Sequence, residues 1–570
     1  MRTKYCGNIT ISDVNQTVTL CGWVDRKRNF GNFIFIDMRD CTGIIQIFVH
    51  SKNHDVFQNA LKLKNEFCIQ VIGTVKKRTL KNQNIKLKTG LIEITVSILN
   101  IINSSLALPM DINQKNDEHI RFKYRYLDLR RFDMFQNLKT RHKITAYIRQ
   151  FLNKNHFINI ETPFLTKSTP EGAKEYLISS RIHHNKYYAL PQSPQIFKQL
   201  CMISGIDRYY QIVKCFRDED LRSDRQPEFT QIDIEAAFID DIYIKNITEE
   251  IIKMLWKKIL NYSIIDIPTI KFYDAINTYG SDKPDLRNPM KIYHLKKTNL
   301  IYNIHDFKQN NIITIALIIP MGISKFTSNQ INNLNDIINI YNSIQYIYIS
   351  INNIHKKKYS ITNTINNLKS QHIMEIIYEI NANNGDIVLV LSGQKNIINI
   401  LSNNLRHIIA KELNIINYNS WKPIWITDFP MFKKDKNNIL SATHHPFTSP
   451  KGISIKKLKT TNPESIIANS YDLVINGYEL GGGSVRIHHP EIQKIIFDIL
   501  NMSITHKKNP FDFFVHALQY GTPPHAGIAL GLDRIVMLLT KSHNIKDVIA
   551  FPKTNIATCL MSGAPSKYTY

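Results

Sequence analysis

Residues 216–233, FRDEDLRSDRQPEFTQID, constrain this chain more than any other stretch. Strand-like segments, QIVKCF before and EFTQIDIEAAF overlapping its end, enclose a centre dense in charge. That is the pattern of two antiparallel strands joined by a charged loop. A solvated surface hairpin is the ordinary reading of an isolated charge cluster. Alternation argues otherwise: Arg217 and Glu219 share one face, and Phe229, Gln231 and Asp233 share one on the returning strand. An arginine, two carboxylates, an amide and an aromatic ring would then point the same way. Such a face suits an anionic ligand that carries a flat ring.

Composition matters at three points. A chain of 570 residues exceeds one hydrophobic core, so about two to four domains are expected. Its 43% hydrophobic and 21% charged content is ordinary for soluble globular protein, whereas the formal net charge of +25 is not. That excess suits a polyanion such as nucleic acid. Part of it is lysine in stretches such as IHKKKYSITNTINNLK, the drift of an AT-rich genome, so charge alone leaves the partner open. Seven scattered cysteines without metal-ligand pairing read as reduced, mostly buried thiols. MRTKYCGNIT lacks the apolar core of a signal peptide, and the longest apolar run, IITIALIIPMGI, has twelve residues, too few to span a bilayer. A soluble cytoplasmic protein is expected.

Along the chain, residues 1–106 read as five short strands with one helical patch, which suits a five-stranded OB barrel. NFIFIDM alternates, placing Phe33, Phe35 and Asp37 together, after the basic run Arg26, Lys27 and Arg28. The phenylalanines could fill the barrel core or stack on splayed bases outside it. Residues 107–134 read as a polar, basic hinge, and 135–285 as a catalytic segment opening on a helix whose stripe includes Ile144, Ile148 and Leu152. FINIETPFL follows as a strand interrupted by Pro163, then the loop TKSTPEGAKEY, a candidate lid. Residues 286–412 have an Ile/Asn/Lys-rich texture without a dense polar constellation and read as an insertion. Chemistry returns in 413–570, with LSATHHPFTSP, SYDLVINGYELGGGSVRIH and GTPPHAGIALGLDR. None of these is a Walker loop or a GxGxxG fingerprint, and the His444–His445 pair lacks zinc-ligand spacing.

The Pro163 strand, the charged hairpin and the GLDR helix together resemble motifs 1, 2 and 3 of the class II aminoacyl-tRNA synthetases. FIFIDMRD, KYRYLDLRR, TPEGAKEY, QSPQIFKQL, GSDKPDLRNPM, HHPFTSP and DVIAFPKT resemble the bacterial aspartyl-tRNA synthetases within that class, over nearly the whole chain. The resemblance implies an α+β multidomain fold: an OB-fold barrel that binds the anticodon, an antiparallel-sheet catalytic domain and an inserted α/β bacterial domain. It implies a homodimer, with ATP and L-aspartate as substrates, magnesium as metal and tRNA as partner. On these terms Arg217 and Arg534 are the catalytic cations, the first bridging the α-carboxylate and α-phosphate. ATP is met by Arg217, Asp218, Glu219, Gln226, Phe229, Glu479, Gly531, Leu532, Asp533 and Arg534. Asp472 and Glu479 hold magnesium. Aspartate is met by Glu171, Ser193, Gln195, Lys198, Arg217, Asp233, His444 and Arg486, with Lys198 and Arg486 on its side-chain carboxylate. Arg28, Phe35, Gln46 and Glu93 read the anticodon, while Arg222 and Arg225 reach the acceptor end. Gly481–Gly483 allow substrate to approach the backbone. The rival readings are an enzyme that also charges the asparagine tRNA, a sister asparaginyl or lysyl enzyme, and a binding protein without catalysis.

Overall fold

Two-residue alternation closes a barrel at the start of the chain. The computed structural model describes residues 1–114, 116–169, 172–295, 312–362, 370–435, 438–502 and 510–567. It divides into one unit of Met1–Gln136 with Cys559–Tyr570 and a second of Asn137–Thr558. In the first, strands β1 (Thr17–Asn29), β2 (Phe33–Asp40), β3 (Gly43–His50), β4 (Cys68–Lys77) and β5 (Ile92–Asn103) form a closed barrel in the order β1-β2-β3-β5-β4. β2 sets the faces: Ile34, Ile36 and Met38 are fully buried in the barrel core, while Phe33, Phe35 and Asp37 are partly exposed. Of the two readings of the phenylalanines, the outward one holds.

Residues 107–134 are more ordered than a polar hinge. Short helices Glu118–Lys123 and Arg125–Asp128 lie within them, and the next helix starts at Phe132. Asp128 is fully buried and takes Arg125 at 2.6 Å, Arg121 at 3.0 Å and Arg131 at 3.3 Å. Arg130 reaches the buried carboxylate of Glu66 at 2.6 Å. Residues that read as linker polarity are thus the counter-ions that buried carboxylates require.

In the second unit, the hairpin strands Arg208–Phe216 and Glu228–Ala237 pair antiparallel, Phe216 opposite Glu228. Among the described residues they belong to an eight-stranded sheet, in the order Thr269–Lys271, Pro423–Thr427, Ser470–Ile475, Tyr478–Val485, His525–Gly531, Glu228–Ala237, Arg208–Phe216 and Ile158–Asn159. Only the two outermost pairings are parallel. The expected strand FINIETPFL shrinks to Ile158–Asn159, because Pro163 has no N–H for the ladder and Thr162 turns its hydroxyl to Gln211 at 2.9 Å.

One sheet face is covered by helices Phe132–Lys154 and Asp241–Leu260. Ile144, Ile148 and Leu152 of the first and Ile251, Leu255 and Trp256 of the second join Ile232, Ile234, Leu473 and Ile528 in one core. Each fully buried side chain of this kind contributes about 1.5–3 kcal/mol. The Asp240 carboxylate caps the second helix, accepting from Tyr243 N at 3.0 Å, and Asn261 ends it at φ 52°. Alternation sends Gln231, Asp233 and Glu235 to the opposite face. The inserted segment carries its own five-stranded antiparallel sheet among the described residues, with helix Lys395–Glu412 on one face and Ser370–Glu379 on the other. Cys6, Cys21 and Cys215 are buried and Cys41 is exposed, so fewer thiols lie in cores than expected. No helix among the described residues is long and apolar enough to cross a membrane.

Candidate active site

The polar side chains of Glu228–Ala237 floor a cleft of about 600 Å³. At its buried end, Lys198 of helix Gln195–Ile203 lies 2.7 Å from Asp233 and 3.3 Å from Glu235. Arg486, just past strand Tyr478–Val485, donates to Glu235 through Nε at 2.8 Å and Nη2 at 2.9 Å. All four side chains are at most 2% exposed. The sequence reading placed Lys198 and Arg486 on a substrate carboxylate. Each already carries a protein carboxylate, since leaving a charge buried and unpaired costs several kcal/mol. Glu235 escaped the sequence reading; its signal was a second acid two residues after Asp233 in the apolar run IDIEAA. Burial by itself raises the Glu235 carboxyl, but Arg486 and Lys198 pull it down to about 2. At Asp233 burial outweighs Lys198, and the carboxyl sits above its ordinary value.

The two histidines divide the site between them. His445 Nε2 lies 2.7 Å from Arg486 Nη1, and burial together with Arg486 holds this ring neutral, well below the ordinary histidine value. It was another side chain the sequence left unassigned. His444 lies 3.1 Å from Asp472; burial disfavours its charge, but the carboxylate outweighs burial and raises it. A register shift between Leu473 and Val474 lets Asp472 and Glu479 share the cleft although they are seven residues apart. Burial raises Asp472; at Glu479, Lys283 and Arg534 overcome burial and lower it. Glu479 is 2.6 Å from Lys283. The three glycines serve the protein itself: a Cβ on Gly482 would stand 2.7 Å from Asp472 Oδ1, and one on Gly481 or Gly483 would stand 2.4 Å from a carbonyl of the neighbouring strand.

At the outer end, the Arg217 guanidinium lies 5.0 Å from the Phe229 ring centroid. Arg534 donates to the Glu479 carbonyl at 2.8 Å and pairs with Asp224 at 3.1 Å. Ser193, Gln195, Glu219 and Gly531 also line the cleft. Arg225, expected at the tRNA end, lines it too and holds Glu219 at 3.3 Å, whereas Arg222 is exposed outside it. Four expected nucleotide contacts stand differently. Asp218 is outside the cleft lining, its backbone bridged to Lys174, and the Leu532 side chain is core. Gln226 and Asp533 line the cleft with their polar atoms engaged. Gln226 exchanges bonds with the Lys553 backbone at 2.7 and 3.1 Å; Asp533 accepts from Thr230 N at 2.7 Å and from Arg141. Glu171 lies outside the described residues.

Gln195 Nε2, Asp233 Oδ2, Thr443 Oγ1 and His444 Nδ1 are buried without a hydrogen-bonding partner among the described residues, and all four belong to the cleft lining. Unmatched buried polar atoms cost about 1–3 kcal/mol each, so this lining suits a ligand with both donors and acceptors. On the barrel, Arg28 Nη2 donates to Asp37 at 2.8 Å and to Gln46 at 3.3 Å, and Gln46 donates to Glu93 at 2.8 Å. Arg28 also lies 5.9 Å from the Phe35 ring, which meets Phe30, Phe33 and Phe48 at 5.4–5.9 Å. The four residues expected to read bases thus form one continuous patch.

This arrangement agrees with what the chain resembles. Residues 117–555 match the family "tRNA synthetases class II (D, K and N)", and residues 18–102 match "OB-fold nucleic acid binding domain". The chain belongs to the class II tRNA synthetases. Within that class its curated relatives include the aspartate–tRNA ligase of Buchnera aphidicola subsp. Acyrthosiphon pisum (strain Tuc7), 52% identical over 99% of this chain and 97% of the relative. The aspartate–tRNA ligase of the subspecies Baizongia pistaciae (strain Bp) is 51% identical over 100% and 99%. At that likeness over full length, the chain falls among the aspartate–tRNA ligases rather than the sister enzymes. The fold also matches a crystal structure of asparaginyl-tRNA synthetase from Pyrococcus horikoshii with asparaginyl-adenylate, at a TM-score of 0.60 and 18% identity over 97% of this chain and 98% of that one.

Proposed function

We propose that this chain is an aspartate–tRNA ligase that joins L-aspartate to AMP, releases pyrophosphate, and passes aspartate to the terminal ribose of its tRNA. The observation that carries the reading is the buried Lys198–Asp233–Glu235–Arg486 cluster at one end of a cleft whose other end holds Arg217 beside Phe229. A carboxylate is a nucleophile at neutral pH, so catalysis needs positioning and charge stabilisation rather than a nucleophilic side chain.

In this reading Lys198 and Arg486 hold the substrate's side-chain carboxylate, with the cluster balanced by Asp233 and Glu235. Asp233 Oδ2 and the neighbouring Ser193 and Gln195 meet the ammonium. Arg217 spans the α-carboxylate and α-phosphate, where its fork binds paired oxygens. Its position over Phe229 leaves adenine a ring to stack on, and Glu219, steadied by Arg225, takes the adenine amine. Arg534 faces the outer phosphates. Asp472 and Glu479, both on the cleft lining, suit magnesium, since two carboxylates fit an ion that takes its other ligands from phosphate and water. Bound there, the metal supplies positive charge to the phosphates. Barrel residues Arg28, Phe35, Gln46 and Glu93 contact the anticodon, and Arg222 the acceptor end. The enzyme works in the cytoplasm as a homodimer, docking through the segment where Ile158, Phe164 and Leu165 are exposed.

Charging with radiolabelled aspartate tests this. Label should pass to tRNA only with ATP present, and periodate oxidation of the terminal ribose should abolish acceptance. Label on oxidised tRNA, or none on intact tRNA, contradicts the reading.

A further inference from the structure

We infer that Lys283 is a further ligand for the nucleotide's phosphates. The assignment rests on reading the cleft as the ATP site. Lys283 lines that cleft, its side chain 36% exposed, and its ammonium meets Glu479 at 2.6 Å. Arg534 reaches the same residue, donating to the Glu479 carbonyl at 2.8 Å while it pairs with Asp224 at 3.1 Å. Two cations, Lys283 on the Glu479 carboxylate and Arg534 on its backbone carbonyl, therefore stand side by side at the outer end of the site. That is an arrangement for a polyanion, because two cations held side by side on a cleft wall attract a ligand that carries several negative charges.

The loop bearing Lys283 is built rather than loose. Ser281 Oγ accepts from Lys283 N at 3.0 Å. Asp285 takes Arg287 through Nε at 2.9 Å and Nη2 at 2.7 Å, and Asn288 Nδ2 donates to the Arg406 carbonyl at 3.1 Å. Arg406, fully buried on the inserted helix, returns bonds to the Tyr279 and Met290 carbonyls at 2.9 Å each. Gly280, at φ 72°, is close enough to that helix that a Cβ would stand 2.7 Å from the Asn399 carbonyl. An incidental surface ion pair is worth about 0–1 kcal/mol and needs no such framework. In the loaded site the Lys283 ammonium exchanges the Glu479 carboxylate for phosphate oxygen, with no bond made or broken. The inserted segment thereby sets the position of one nucleotide contact.

Equilibrium binding of ATP and of pyrophosphate, each with and without magnesium, is measured by calorimetry on wild type, Lys283→Met and Lys283→Arg. Lys283→Met should weaken both ligands about tenfold, the lower end for a charge-assisted bond, and Lys283→Arg should restore most of the loss. The KM for aspartate should stay within about twofold of wild type in both variants. Unchanged or tighter ATP binding by Lys283→Met, with wild type binding normally, overturns the assignment and leaves Lys283 as a counter-ion of Glu479. Failure of wild type to bind ATP overturns the reading of the cleft and the assignment with it. Equal loss in Lys283→Arg and Lys283→Met also overturns it, since a preserved charge should bind phosphate.

Discussion

Replacing Arg486 by methionine keeps an unbranched stem and removes the charged guanidinium. Arg486 makes two bonds to Glu235, one to Ser484 Oγ at 2.5 Å and one to His445 at 2.7 Å, all within a buried cluster. Losing one partner of a buried pair costs about 3–5 kcal/mol, because the other charge is left uncompensated. Among the described residues Glu235 then keeps only Lys198, at 3.3 Å, which also serves Asp233. At 1.36 kcal/mol per decade, a loss of that size lowers kcat/KM for aspartate roughly 10²- to 10⁴-fold, while the KM for ATP stays within about threefold. The assay is aspartate-dependent exchange of pyrophosphate into ATP. Adding Glu235→Gln removes the stranded charge, so the double variant should melt above Arg486→Met alone, the sign of a coupled pair. Activation of aspartate by Arg486→Met within about threefold of wild type would refute the role of the cluster.

Phe229→Leu removes the proposed stacking surface; stacking of a base on a ring is worth about 1–3 kcal/mol, so the KM for ATP should rise roughly 5- to 100-fold with the aspartate KM little changed, read from exchange kinetics. Phe35→Ala should weaken tRNA charging by a similar factor and leave pyrophosphate exchange untouched, because its patch lies on the barrel. Glu235 is held at about 2 against an ordinary 4.5, so the stability it contributes is complete above 4.5 and is lost as pH falls toward 2. The melting temperature of wild type should therefore exceed that of Glu235→Gln at neutral pH, with the gap closing as pH falls through that window.

How far the sequence carried the structure differs by element. The barrel and hairpin were legible because two-residue alternation fixes which side chains share a face, as in Ile34/Phe35/Ile36 and Ile232/Asp233/Ile234. The cleft residues Lys198, Arg217, Phe229, Asp472, Glu479 and Arg486 could be named in advance, and the fold brings them together. Their pairing could not be. Glu235 and His445 become visible only when Arg486, 251 residues beyond the glutamate, is seen between them. Asp533 and Gln226 were placed at the nucleotide by motif, but their polar atoms hold Thr230, Arg141 and the Lys553 backbone, long-range bonds without sequence periodicity. The same holds for residues 107–134, whose basic side chains gather on Asp128 and Glu66.

The central claim is that the cleft activates aspartate with ATP. Pyrophosphate exchange measured with aspartate, asparagine and lysine in turn, without tRNA, tests it most directly. The account predicts exchange with aspartate and little with the other two, since neither can place a carboxylate on Lys198 and Arg486. Exchange with asparagine or lysine but not aspartate, or none with any of the three, would contradict it.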